Sequence, residues 1–154
     1  MKDSNGLTIG VVVDEFTNNV LIEAAGRTLR AQTNYDGTGF QIGGSPLFYA
    51  SNDCSGPALA SPDPLIIDQA LVVTPTLAYA PPATDVSTTV ESFLGYGSYV
   101  NNQADCDASF VPGTVFTPPH GCCLTFAPAM TPLGPASSID LSAFVPPFEV
   151  ELLE

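Results

Sequence analysis

Proline or glycine interrupts almost every stretch of this chain long enough to carry a 3.6-residue repeat, with 15 Pro and 13 Gly among 154 residues. Proline removes a helical hydrogen-bond donor, and glycine loses more conformational freedom on ordering than any other residue. Helix is therefore excluded from most of the chain, and the short stretches between interruptions are rich in β-branched and aromatic residues. The N-terminal third is a meander of expected strands at Leu7–Val13, Asn19–Ala24, Arg27–Gln32, Gly39–Ile42 and Leu47–Ala50. The separators, at Asp14–Asn18, Ala25-Gly26, Asn34–Gly37 and Gly43–Pro46, are turn chemistry, because Gly and Asn accept positive φ and Pro fixes it negative. Residues 27–32 and 39–42 alternate in polarity, as strands with one buried face do.

Cys54–Pro64 is a connector of Ser, Gly and Pro, followed by strands at Ala70–Thr74 and Leu77–Ala80, between which Pro75 marks an edge or a bend. Thr88–Leu94 and Gly97–Val100 form a further pair, and Asn101–Asp107 is a polar loop. Short strands at Phe110-Val111, Thr114–Thr117 and Cys123–Phe126 lead into Pro-rich turns and a closing strand at Phe148–Leu153. Ser138–Phe144 fits one helical turn capped by Ser138. Many short strands joined by Gly and Pro turns indicate one all-β domain over residues 1–154, a β-sandwich or barrel-like fold of antiparallel strands. A globule of this length buries roughly 70% of its unfolded surface, enough for a true core.

Charge narrows the function classes. Sixteen acidic residues face only Lys2, Arg27 and Arg30, a net charge of -13, and charged residues are 12% of the chain, half of the roughly 25% in an average soluble domain. Phosphate backbones are bound by clustered Lys and Arg, so nucleic acid and anionic membrane surfaces are disfavoured partners. The longest apolar candidates, Leu65–Val73 and Leu124–Met130, are too short to span a bilayer, which excludes membrane insertion by a helix. Met1–Gly6 leads into a turn with no apolar run of a signal peptide. The expectation is a trimmed start or a domain within a longer polypeptide, with the missing upstream strand leaving the first edge as a docking point.

The four cysteines, Cys54, Cys106, Cys122 and Cys123, constrain the chain most closely after its turns. An even count in an acidic, Gly- and Pro-rich β-chain points to a disulfide framework of an oxidising compartment. Of three pairings, the one joining Cys122 to Cys123 closes a strained ring and is set aside. Neighbours on a strand point to opposite faces, so these two cysteines reach different partners. A zinc site of Cys106, His120, Cys122 and Cys123 lacks the usual ligand spacing, and His120, in Thr117–Gly121, is expected as an exposed turn residue. It is also the one candidate imidazole base, and no G-x-S-x-G elbow accompanies it. Asp14, Glu15, Asp105 and Asp107 qualify by type as a glycosidase pair, but there is no Trp to stack a sugar. Gly37, Gly39 and Gly43 do not make a nucleotide-binding fingerprint. Loops 34–38 and 101–107 offer oxygen ligands, so the one cofactor entertained is a structural calcium at Asp36, Asp105 and Asp107; the competing reading is a turn held by its own Asp and Asn side chains.

The segments Asp3–Gly10, Gly39-Phe40, Leu47–Gly56, Leu77–Tyr79 and Ile139–Phe148, in that order, resemble a group of exported bacterial all-β domains to which no activity is assigned. The resemblance implies an exported domain, in that group commonly preceded by a signal peptide, a stalk or a fibre segment. This chain departs from that pattern by two additional cysteines.

The expectation drawn from all of this is a non-enzymatic, secreted or cell-surface module, a building block or head of a fibre, appendage, spore coat or virion. The alternative is a small secreted hydrolase, disfavoured by a single His and the lack of a motif-embedded nucleophile. The favoured bridges are Cys54–Cys123 and Cys106–Cys122, the cysteine after Asp53 taking a late partner. Self-association or docking into a larger surface assembly is expected through strand edges and through Phe93, Tyr96 and Tyr99, aromatics on near-neutral faces; the competing reading is that they fill the core.

Overall fold

A computed structural model describes residues 1–14, 18–24, 26–43, 45–62 and 67–151. The chain is an all-β, sandwich-like fold of three antiparallel sheets with one short helix among the described residues. The first sheet holds β1 (Val11–Asp14), β2 (Asn19–Ala24) and β3 (Arg27–Gln32) in sequence order. Gly26, at φ 72°, closes the β2–β3 hairpin, and Val20, Ile22, Leu29 and Ala31 turn inward as the alternation requires.

The five-stranded sheet is built from β4 (Leu47–Tyr49), β5 (Leu59-Ala60), β8 (Val86–Tyr96), β9 (Val115–Thr117) and β10 (Gly121–Pro135), in the order β5-β4-β8-β10-β9. A further pairing of β5 with β10 curls this sheet back on itself. The third sheet holds β6 (Leu71–Thr74), β7 (Leu77–Ala80) and β11 (Ser137–Asp140), with β7 central. A parallel bridge between Arg30 and Gln69 and an antiparallel one between Gly43 and Val72 tie in the connecting segments. The main core gathers Val20, Ile22, Leu29, Leu47, Val72, Ile139 and Leu141 from all three sheets.

Several expected elements are corrected. Residues 39–42 make only an isolated bridge, Thr33 with Phe40, and Gly97–Val100 is a turn, as is the region of Phe110-Val111. Where Pro-rich turns were expected, β10 runs on to Pro135, because Pro128 and Pro132 occupy an edge where a missing N–H interrupts no ladder. Ser137–Asp140 is strand and not a helical turn; it pairs with β7 from Ala80 to Leu77, a tertiary contact that outweighs the local cap signal. Pro75 sits in the β6–β7 turn. Of the closing strand, Glu149 pairs with Lys2, and Leu152-Leu153 lie outside the described residues. Lys2 also pairs with Thr8, so the first residues are fastened on both sides, while β1 stays at the edge of its sheet with β2 as its one strand partner among the described residues.

Candidate functional site

The chemistry-bearing residues converge on β10. Cys123 lies opposite Leu94 on the face turned to the main core and is bonded to Cys54, S–S 2.05 Å. Cys122 lies opposite Gly95 on the other face and is bonded to Cys106, S–S 1.99 Å. These are the bridges favoured from the sequence, and the alternation of a strand is why adjacent cysteines can serve two partners. All four sulfurs are bonded, so the Cys106, His120, Cys122 and Cys123 zinc set does not exist as thiolates.

The outer bridge anchors α1 (Gln103–Ser109), which replaces the polar loop expected over residues 101–107. Its nucleation is local. The Asn102 side chain accepts from the Asp105 N–H, while the Asp105 carboxylate accepts from the Asn101 N–H at 2.7 Å. This Asn-x-x-Asp signature before a proline-free stretch was available in the sequence and marks a helix start. Gln103 fastens the helix sideways, donating to the Thr114 carbonyl and accepting from the Phe116 N–H. Beneath α1 a second small core forms from Val100, Cys106 and Cys122 with Phe110 and Phe116. Gly95 is what allows it, because a Cβ there would run into the Phe110 ring.

The carboxylates are occupied locally. Asp36 accepts from the Thr38 N–H and hydroxyl, the latter at 2.6 Å, and those bonds hold its carboxyl below the ordinary range. Asp107 accepts from Gln103 at 2.8 Å. Asp36 lies in the 34–38 turn and Asp105 and Asp107 on α1, and among the described residues no group of three His, Cys, Asp or Glu side chains comes together. Of the glycosidase pair by type, Asp14 ends β1 and Asp105 and Asp107 stand on α1, while Glu15 lies outside the described residues. His120 is not an exposed turn residue: it is half-buried in the β9–β10 turn with Nδ1 2.9 Å from the Val100 carbonyl.

The three aromatics expected at an interface separate. Tyr96 is 7% exposed, inside the main core, and donates to the Ser45 carbonyl at 2.6 Å; burial raises its phenol pKa above the ordinary range. Being even-numbered on β8, it shares the inner face with Ser92 and Leu94. Tyr99 is exposed in the 98–99 turn and its ring lies against Gly97. Phe93 faces outward, between Phe48 on β4 and Leu124 on β10, with ring centroids 6.1 Å from Phe48 and 6.2 Å from Phe126. This half-buried row was missed at Phe48 and Phe126, although Phe48 alternates between the inward Leu47 and Tyr49.

No family model, curated protein or solved structure matches the chain. Polar side chains near the two ends of the chain and beside the inner disulfide tie distant segments together. Asp3 and Ser4 bond to Val145, joining the first segment to the last, while Ser92 accepts from the Cys54 N–H and donates to the Ser51 carbonyl beside the inner disulfide. Two disulfides are the signature of an oxidising compartment. No described helix is long and apolar enough to cross a membrane.

Proposed function

We propose that this chain is a secreted or cell-surface module of the exported β-domain kind, acting as a structural or recognition unit of a larger assembly and not as a catalyst. The observation that carries the reading is the pair of bridges at Cys122 and Cys123, which fasten both faces of β10 and need an oxidising compartment to form. The other chemistry-bearing groups support it. His120 is engaged with a backbone carbonyl, and Asp3, Asp36, Asp53 and Asp140 hold turns. The outer row of Phe48, Phe93, Leu124 and Phe126 is an uncharged surface of the composition interfaces favour.

Tagging the chain in its host tests this directly. Intact cells should expose the tag, non-reduced protein should yield no alkylatable thiol, and surface cross-linking should give a discrete higher-mass species. Recovery from the cytosol with four free thiols, or a surface protein that never cross-links, would overturn the proposal.

A further inference from the structure

Resting on that reading, we infer that the free edge of β8 from Val86 to Glu91 is the docking site for an extended segment of another protein, with an uncharged β-branched centre and a Lys or Arg at each end. Along this stretch β8 is paired on one side only. β10 lies against Val86–Val90, and β4 reaches no further than Ser92 before the chain turns away at residues 50–55. Among the described residues no backbone hydrogen bond reaches the other side. Val86 is 64% exposed, and Ser87 and Thr89 are exposed.

The register says which groups are available. Ser87 lies opposite Pro132, which has no N–H to give, so that pair is not hydrogen-bonded. Alternation along an antiparallel ladder makes Thr89 with Met130 the next such pair. The N–H and C=O groups of Ser87 and Thr89 therefore point away from β10, toward an incoming strand. The two edges of the β8–β10 ribbon are treated differently. On β10 Pro132 turns its missing N–H to the unpaired side, a common defence against edge pairing, and Pro128 falls in the register irregularity between Thr125 and Ala129. On β8 the sequence Val-Ser-Thr-Thr-Val has no proline and no charge, so its edge is left competent for strand addition.

Charge selects the occupant. The uncharged run is bracketed by Asp85 and Glu91. A second copy pairing antiparallel about Thr88 would set Asp85 against the other copy's Glu91 twice, and like charges directly opposite destabilise. Nor can a copy bring cations there, because Lys2 is held by Glu151, Arg27 by Asp68 and the Pro81 carbonyl, and Arg30 by Gln69. A partner strand with basic residues six positions apart meets both carboxylates while its centre continues the sheet in line with β4.

The test titrates the full chain with three end-blocked, labelled peptides: Lys-Thr-Val-Thr-Val-Thr-Lys and its Gln-flanked and Glu-flanked counterparts. The Lys-flanked peptide should bind about tenfold or more tighter than the Glu-flanked one at low salt. Thr89→Pro, which removes an outward N–H at a position where edge proline is tolerated, should abolish binding with an unchanged circular dichroism spectrum. The double variant D85K/E91K should reverse the peptide preference, and it carries the test should Thr89→Pro fail to fold. Equal affinity for all three peptides, undiminished binding by folded Thr89→Pro, or a wild-type dimer that Thr89→Pro dissolves would each overturn the inference. Surface cross-linking would survive such a failure, so the two proposals fail separately.

Discussion

Asp3 shows how much one carboxylate can organise. It is buried, and its two oxygens accept from the N–H groups of Asn5, Leu7 and Val145, which ties the first turn to a segment 142 residues later. The Val145 amide is the largest of the influences that lower its pKa below the usual 3.8. The same economy recurs in three Asp-x-Ser/Thr turns, at Asp36, Asp53 and Asp140, whose pKa values are lowered chiefly by the hydroxyls of Thr38, Ser55 and Ser142. A carboxyl with a lowered folded pKa contributes stability that is present above its unfolded value and lost as pH falls through the folded one. Asp3→Asn should therefore lower the melting temperature at neutral pH, with a difference from wild type that narrows as pH falls below the ordinary carboxyl value of 3.8 and the native carboxyl is protonated. Melting curves across that range decide it; a difference independent of pH would mean that charge has no part in the Asp3 contacts. Tyr96→Phe isolates a neutral bond instead. Losing the hydroxyl strands the Ser45 carbonyl and should cost about 1 kcal/mol in chemical denaturation, with no acid dependence.

At the scale of elements, the two bridges divide the labour between the faces of one strand. Cys54–Cys123 spans 69 residues and Cys106–Cys122 spans 16, so loop-closure entropy assigns them about 4.4 and about 3 kcal/mol. The pair C54S/C123S should thus be the more destabilised, whereas C106S/C122S should keep the main core and lose hydrogen-exchange protection at α1. Equal losses, or α1 protected without its bridge, would count against this division. The same elements explain what could be read in advance. β2, β3 and β7 were legible to the residue, because alternation and Gly or Pro punctuation coincide there. The long β8–β10 ribbon was not, since edge prolines look like turns until the partner strand shows that their missing N–H groups face outward. α1 lay hidden in polar sequence because its buried face is a single cysteine, Cys106, which leaves no apolar stripe at helical spacing to read. The bridges were legible, since a disulfide needs only two cysteines and a strand, and so was Asp36 as a turn held by its own side chain; the partners of Asp105 and Asp107 were not, because α1 sets them.

Over the whole molecule the dominant unbalanced quantity is charge. With Lys2, Arg27 and Arg30 already held within the fold, thirteen carboxylates in excess remain to repel one another across a surface otherwise uncharged. Such a field disfavours the compact state and is weakened by screening, since the Debye length falls from about 30 Å at 0.01 M salt to about 3 Å at 1 M. Raising potassium chloride from about 0.01 to 0.5 M at neutral pH should therefore raise the melting temperature, by roughly 3–6 °C if the relief is ~1–2 kcal/mol. Chloride is the proper probe, because sulfate strengthens apolar burial whatever the charge. The same titration near the isoelectric point that the composition gives, about 4.1, supplies the control, for there the excess charge is largely neutralised and the salt response should vanish. A rise of equal size at both pH values would assign the effect to burial, and a flat response at neutral pH would place the carboxylates too far apart to matter. Of the two surface elements invoked for assembly, only the β8 edge lies between carboxylates, so salt that steadies the fold should at the same time weaken a basic-flanked strand bound there. Stability and affinity moving in opposite directions along one salt axis is the behaviour that separates a charge-selected edge from a purely apolar patch.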